Sequence, residues 1–493
     1  MFKRSFVFLA KLLLFVVLVW LAVLAYWKYT NHVVSSEDLL IYFFILPVAL
    51  ALAYLFVRLL WWVVKKTFHR LGAPAAVQAT TVHAGASADG GSREPNRAAY
   101  VISTALCTHF GDEGAQYLDA ILQEKKRAGI SDEITRELGY GVRAAEVDQL
   151  ELAAAHEETR ATMMRTRALL EKVYAQLEGM LHQAAPGANS TDGSDKGPAG
   201  ATLHPEWTGV PGQHIAAPAN ETRAAADGTM PASLRVHIVL PVFLTAPEAS
   251  LIQTDVTEWL QAAGWPRQTV AATTIQPENE VEYLKRLEAW QQQASSDAAA
   301  SEWLLILSAV SWLDVDLLND RLSKDLQFAN RLAKGGAVIG EMACGVVLAK
   351  ARPASRLQLE PFAQLSHLTL AQRNKPVDAK GTIEAALLAE MLADQASALS
   401  ESDLKFVGLT VSGDMSDGRA VELGRWVTDD LPQLDFIDDV LCVAEHLGEC
   451  GPAGSLLALA LAAAMVQQRN GPVLYCSNQH ASWRALAAVM PAV

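Results

Sequence analysis

The sequence predicts an α/β fold that follows a two-helix transmembrane hairpin and a mainly helical arm. Three observations support this prediction. Two long apolar runs lie near the start of the chain, helical spacing of apolar residues continues to residue 183, and strand-like and helix-like segments alternate from residue 233. At 493 residues the chain has room for two or more domains.

The two apolar runs cover residues 5–27 and 39–64. Each has about the 20 residues that a helix needs to cross a hydrocarbon core about 30 Å thick. A cleaved signal peptide is the alternative for the first run, but its apolar region is too long for one. Basic residues such as Lys3 and Lys65 lie at both ends of the hairpin, residues 1–70. The positive-inside bias therefore places both ends, and the soluble part, in the cytoplasm.

Composition divides the chain between the hairpin and the α/β region into three segments. Residues 71–96 are rich in Ala, Gly, Ser and Thr, which predicts a flexible tether. Residues 97–183 predict a mainly helical arm, because apolar residues recur at helical spacing between Val147 and Leu181. A coiled-coil surface for a partner is the alternative interpretation of this arm. Residues 184–232 lack a periodic apolar run and predict a second linker.

From residue 233 the apolar pattern alternates between strand and helix. The strand-like segments are 234–244, 268–275, 303–312, 337–350, 357–365 and 406–412. The helical segments are 248–264, 279–294, 313–334, 382–399 and 417–427. Alternation of this kind predicts a sheet covered by helices, and we expect the segments 337–350 and 357–365 to be adjacent strands.

Charge and cysteine content exclude several classes of function. The net charge is −14, and no cluster of Lys and Arg stands on the soluble part, so binding of nucleic acid is not expected. The five cysteines are odd in number and form no CxxC pair, which indicates a reducing compartment without a disulfide framework. The sequence has no zinc-protease, P-loop, dinucleotide-binding or nucleophile-elbow motif, and it predicts no cofactor and no metal site.

Two local patterns carry a resemblance to a known fold family. Residues 441–475 read LCVAEHLGECGPAGSLLALALAAAMVQQRNGPVLY, an apolar strand, a Gly-rich turn at 448–454, a long Ala/Leu helix and a second strand. In the second pattern, Asp314 is followed by a strand that contains Gly340, Glu341, Ala343 and Gly345. Both patterns resemble the thiolase-like domains of β-ketoacyl synthases. The resemblance implies a thiolase-like layered fold with a first half at 233–375 and a second half at 376–493.

The residues that catalysis in that family requires are missing from the expected positions. Glu449 stands where the turn should present a catalytic histidine, and His446 precedes the turn at the wrong offset. The helix that should begin with a nucleophilic cysteine opens with residues 276–279, QPEN, which include neither Cys nor Ser. We expect Cys450 to be a small packing residue, since no base accompanies it. The sequence thus predicts a catalytically silent domain, a pseudoenzyme with no catalytic residue, rather than an enzyme.

The overall layout resembles the type VI secretion lipase-adaptor family. This resemblance implies a non-catalytic adaptor at the bacterial inner membrane that binds a phospholipase effector and delivers it to the secretion spike protein. Two alternatives stay open. One is a membrane-tethered acyl-transfer or condensing enzyme with relocated catalytic residues, and the other is a structural scaffold that acts through the helical arm. Thiolase-like domains usually pair through a sheet edge, so we also expect a homodimer.

Overall fold

The computed structural model describes residues 98–492 with internal gaps. The gaps are 124–127, 133, 135–140, 149, 151, 153–159, 187–230, 294–300, 323–337, 355–356, 380, 400–403 and 414–416. The predicted hairpin at 1–70, the tether at 71–96 and nearly all of the linker at 184–232 lie outside the described residues. Within the described part, no helix is both long enough and apolar enough to cross a bilayer.

Strands and helices alternate along most of the described chain. The strands are β1 (Ala99–Cys107), β2 (Gly129–Ile130), β3 (Arg143–Ala145), β4 (Ser233–Val239), β5 (Val270–Ile275), β6 (Glu302–Ser311), β7 (Ile339–Ala349), β8 (Ala363–Leu365), β9 (Thr369–Gln372), β10 (Gly408–Val411), β11 (Val440–Cys442), β12 (Val473–Ser477) and β13 (Trp483–Met490). The α-helices are α1 (Gly114–Leu118), α2 (Ala161–Ala184), α3 (Ala246–Ala262), α4 (Glu280–Gln292), α5 (Val315–Leu322), α6 (Ala386–Ala398), α7 (Asp417–Asp430), α8 (Val443–Leu447) and α9 (Ala453–Arg469).

The main strands form one continuous sheet in the order β11-β10-β12-β13-β8-β1-β7-β6-β4-β5. The order contains the same pattern twice. In the first half, β5, β4 and β6 are parallel, β7 is antiparallel to β6, and β1 is antiparallel to β7. In the second half, β11, β10 and β12 are parallel, β13 is antiparallel to β12, and β8 is antiparallel to β13. Antiparallel pairing of β1 with β8 joins the halves.

Three clusters of buried side chains separate the molecule into layers. One cluster lies between the two half-sheets and contains residues of α4 and α9. A second packs α2 and α3 on the outer face of the first half-sheet, and a third packs α6 and α7 on the outer face of the second. From Ala453 to Val466 the helix α9 is buried on all sides, as its Ala- and Leu-rich composition there requires. The result is a mixed α/β fold with helical layers between and outside two half-sheets.

Capping residues fix where α3, in the outer layer, and α4, in the central layer, begin. Thr245 precedes α3 and forms a reciprocal capping box with Glu248, and a proline stands in the first turn. Asn279 precedes α4, and its side chain accepts a hydrogen bond from the N–H of Val281 at 3.1 Å. At its other end, α9 stops at Asn470, which has the left-handed conformation typical of helix ends.

The structure corrects two expectations about the first half. The segment 97–183 is not a separate helical arm, because β1 lies inside the sheet between β7 and β8 and α2 packs on that sheet. The first half therefore begins at β1 rather than at residue 233. For the same reason β7 and β8 are not adjacent strands, since β1 separates them.

Candidate functional site

The candidate site lies where the two central helices begin. Both α4 and α9 follow strands of a parallel set, and loops after β10 and β12 reach the same place. The carboxyl ends of parallel strands meet at one edge of a sheet, where α/β proteins commonly bind ligands. The residues that meet here come from both halves of the fold.

Three serines form the centre of the site, and we call them the serine cluster: Ser412, Ser455 and Ser477. Ser412 follows β10 directly, Ser477 ends β12, and Ser455 is the third residue of α9. The Oγ atoms of Ser412 and Ser477 are 3.1 Å apart, and those of Ser455 and Ser477 are 2.9 Å apart. All three side chains are buried, so these hydrogen bonds satisfy part of what each hydroxyl requires away from water.

The loop after Ser477 is held by a series of hydrogen bonds. The N–H of Asn478 donates to Ser412 Oγ at 3.3 Å, and Asn478 Oδ1 accepts from the N–H of Gly413 at 2.9 Å. Gln479 Nε2 donates to the carbonyl oxygen of Ser412 at 3.0 Å. From α7, the guanidinium of Arg419 donates to the carbonyl oxygens of Asn478 at 3.0 Å and Gln479 at 2.6 Å. The backbone beside the serine cluster is therefore fixed in one conformation.

A buried carboxylate borders the cluster on the side of α4. Glu280 is the first residue of α4 and is 4% exposed, and its Oε1 accepts from the N–H of His480 at 2.7 Å. Burial raises the pKa of Glu280, and hydrogen bonds from backbone N–H groups and the charge of Arg419 oppose that shift. The imidazole Nδ1 of His480 accepts from the N–H groups of Ser482 at 3.0 Å and Trp483 at 3.2 Å. A neutral His480 thus carries its proton on Nε2.

Two buried tyrosines, Tyr283 and Tyr475, interact with both Glu280 and the serine cluster. Burial raises the pKa of Tyr283 and of Tyr475 well above the ordinary value, and the charge of Glu280 adds to both shifts. The hydroxyl of Ser455 acts on Tyr283 in the opposite direction, and so does that of Ser477 on Tyr475. Both phenols are therefore protonated donors at neutral pH. Carboxylate, phenols and serines form one polar network inside the central layer.

The structure places most of the residues that the motifs singled out away from this network. The turn with Glu449 packs on β7, and the N–H of Glu449 donates to the carbonyl oxygen of Val338 at 2.9 Å. The thiol of Cys450 is buried and lies 3.3 Å from the carbonyl oxygen of Gly448. Burial raises the pKa of Cys450, so this thiol is not ionised at neutral pH. His446 belongs to the short helix α8, before the turn.

Two acidic residues of the second pattern have structural contacts. Glu341 in β7 is fully buried and forms an ion pair of 2.7 Å with Arg165 of α2. Asp314 accepts a hydrogen bond of 3.0 Å from the N–H of Leu317 at the start of α5. Neither residue reaches the serine cluster in the contacts that the structure shows. The sequence motifs located the helices that frame the site, but not the polar residues within it.

Comparisons with known proteins support the fold. No protein-family model matches the chain, and no curated protein matches it. Ketosynthase twelve from the bacillaene polyketide synthase of Bacillus amyloliquefaciens matches with a TM-score of 0.50 and 11% identity, over 80% of this chain and 75% of that one. The ketosynthase from module 1 of the same synthase has a TM-score of 0.48 and 12% identity, over 80% of this chain and 73% of that one. The ishigamide ketosynthase/chain length factor has a TM-score of 0.48 and 13% identity, over 80% and 99%.

The likeness shows a thiolase-like ketosynthase fold. It also corrects the prediction that the domain is a catalytically silent pseudoenzyme and not an enzyme. That prediction is contradicted, because a solved structure that the chain matches is a ketosynthase and the likeness points to an enzyme fold. No comparison supports the resemblance to the type VI secretion lipase-adaptor family, and the assignment as a secretion adaptor is not retained.

Proposed function

We propose that the chain is an acyl-transfer or condensing enzyme in which a serine hydroxyl takes the place of a cysteine thiol. One observation carries this proposal: three buried, mutually hydrogen-bonded hydroxyls at the start of α9, beside a buried carboxylate with a raised pKa. Groups with strongly shifted pKa values concentrate at functional sites. The thiolase-like fold supports the reaction class, and the departures from the family's residues account for the change of nucleophile.

Ser455 is the serine that fits the role of nucleophile. It lies in the first turn of a 17-residue helix, where the helix dipole favours a developing negative charge on the hydroxyl oxygen. Ser477 orients it through the 2.9 Å hydrogen bond, and Ser412 holds Ser477 in turn. A nucleophile that is oriented by a second group, which a third group positions, is the general arrangement for covalent catalysis.

An acyl thioester is the substrate class that such a serine can use. The Oγ of Ser455 attacks the carbonyl carbon, an ester bond forms, and the carbon–sulfur bond breaks. The hydroxyl proton ends on the departing sulfur, so a free thiol is released and no oxidant or reductant is needed. A carboxyl group can exchange protons with the reacting groups, and Glu280 is the buried carboxyl group of this network, with a pKa that burial raises above its ordinary value.

We also propose that the protein forms the homodimer that the sequence suggested. β5 pairs with β4 on one side and ends the sheet as the structure describes it. An outer strand of this kind offers backbone groups for pairing with a second copy. The predicted inner-membrane location stays a prediction. Light scattering on the full chain in detergent tests the dimer, and a strictly monomeric mass would contradict it.

The function is tested by acylation of the full chain. The protein is incubated with acetyl-coenzyme A or octanoyl-coenzyme A, denatured and analysed by mass spectrometry with peptide mapping. We expect one acyl group on Ser455, complete loss of labelling in Ser455→Ala, and normal labelling in Cys450→Ser and in the exposed control Ser397→Ala. Wild-type protein without an acyl group, or with the acyl group on Cys450, would exclude the proposed nucleophile.

A further inference from the structure

Three buried polar groups at the serine cluster make no hydrogen bond of standard geometry to any described residue. They are the side-chain amide nitrogen of Asn478 and the hydroxyls of Tyr283 and Tyr475. All three residues are at most 2% exposed. Folded proteins satisfy the great majority of their buried polar groups, and an unpaired one is costly to retain. Their occurrence around one cluster indicates a place for a ligand atom that accepts hydrogen bonds.

The neighbours of Asn478 determine which way its amide group points. Its Oδ1 accepts from the N–H of Gly413, which identifies the other end as the NH₂ group. Its backbone N–H donates to Ser412 Oγ, and its carbonyl oxygen accepts from Arg419. A Cβ on residue 413 would overlap Asn478 Oδ1, so the close approach depends on glycine at that position. The amide is therefore locked, while its two N–H donors have no acceptor among the described residues.

We propose that Asn478 Nδ2 binds the carbonyl oxygen of the acyl substrate. This inference rests on the proposed function and names a substrate-binding group for the same site. When Ser455 attacks, the carbonyl oxygen gains negative charge, and a preorganised N–H donor in a buried place stabilises that charge. The buried carboxylate of Glu280 disfavours a free acid, so the site selects a neutral thioester, ester or amide carbonyl.

The substitution Asn478→Asp tests the N–H donors of the amide, because it removes them and keeps the rest of the side chain nearly the same. The carboxylate keeps an acceptor for the N–H of Gly413 and nearly the same volume, but it has no N–H to offer. The matched control is Asn279→Asp at the start of α4. This control adds the same charge next to Glu280 and keeps the acceptor for the N–H of Val281. Thermal unfolding of both variants confirms that they are folded.

The test is the binding of N-methyloctanamide, an amide that does not acylate serine, to the full chain by isothermal titration calorimetry. We expect Asn478→Asp to bind the amide at least about tenfold more weakly than wild type, because a hydrogen bond is lost and the new carboxylate repels the carbonyl oxygen. We expect the affinity of Asn279→Asp to stay within about twofold of that of wild type. Equal weakening in both variants, no weakening in Asn478→Asp, or no binding to wild type would each overturn the inference.

Acylation rates separate this inference from the proposed function. With octanoyl-coenzyme A, we expect Asn478→Asp to acylate Ser455 about 10²–10³ times more slowly than wild type. If both proteins are acylated at the same rate and bind the amide equally, the carbonyl-binding role fails and the proposed function stands. If wild type is never acylated but binds the amide through Asn478, the acyl-transfer function fails and the carbonyl subsite stands.

Discussion

Gly340→Ala tests whether the turn that begins α9 is held in place by direct contact with β7. Gly340 is the second residue of β7, and a Cβ there would overlap the carbonyl oxygen of Leu447 and lie 3.2 Å from its carbonyl carbon. Just beyond, the N–H of Glu449 donates to the carbonyl oxygen of Val338. The atom that a Cβ of residue 340 would overlap belongs to the backbone of Leu447, so a change of side-chain rotamer cannot relieve the overlap.

The expected effect is a loss of stability. Overpacking a buried site costs typically about 1–3 kcal/mol, and we expect the upper end here because the obstacle is a backbone carbonyl. In domains of 150–250 residues, 1 kcal/mol moves Tm by about 2–4 °C. We therefore expect a fall of at least a few degrees by scanning calorimetry. Slower acylation of Ser455 should accompany it, because the displaced turn leads directly into α9.

The matched control is Gly424→Ala. Gly424 lies inside α7, and a Cβ at this position would have no atom within 4 Å apart from its chain neighbours and the backbone of its own helix. Replacing a helix-interior glycine by alanine is expected to stabilise the protein by about 0.5–1 kcal/mol. The two substitutions should thus shift Tm in opposite directions. A Gly340→Ala protein as stable as wild type would show that the turn and β7 do not approach as described.

Three further predictions concern buried ionisable groups. Glu422 is fully buried and accepts hydrogen bonds of 2.6 and 2.9 Å from Arg484, so Glu422→Gln should lower the free energy of unfolding in urea by about 3–5 kcal/mol. The control is the exposed ion pair of Arg352 and Glu360. Arg352→Gln should change the free energy of unfolding by less than about 1 kcal/mol. Burial raises the pKa of Glu280 in the folded state, so its contribution to stability falls as pH rises from about 4.3 through the raised pKa. The Tm of Glu280→Gln minus the Tm of wild type should therefore increase from about pH 4 to pH 8. A Tm difference that stays constant over this range would contradict the raised pKa. All five cysteines are buried, so iodoacetamide at neutral pH should alkylate the protein only after unfolding, and a fast-reacting thiol in the native protein would contradict this.

The sequence predicts most of the elements from β4 to β12 because each of these has a clear apolar period, but it assigns neither β9 nor β13. It fails at β1. The run AYVISTALC has the composition of a strand, but its partners β7 and β8 lie more than 200 residues further along the chain. A local pattern carries no information about pairing over that distance. The helical periodicity of α2 then made the whole segment look like a separate arm.

The serine cluster could not be predicted for a related reason. Ser412, Ser455 and Ser477 belong to three different elements, and each is an ordinary small polar residue in its local context. The one available signal is position, since Ser412 and Ser477 come at the ends of two neighbouring parallel strands. Glu280 directly follows the segment QPEN at 276–279, and the structure shows there a carboxyl group with a raised pKa whose oxygen accepts a hydrogen bond from the N–H of His480.

The position of β1 between the two half-sheets has a consequence for synthesis of the chain. β1 is the first of the described strands to leave the ribosome, yet both of its neighbours are made much later. At about 5–20 residues per second, this apolar strand waits on the order of ten seconds or longer before β7 exists. During that time it is a target for chaperones and for pairing with other nascent chains. A shortened gene product that starts at residue 233 would leave an unpaired edge on β7 and another on β8, so we expect it to aggregate.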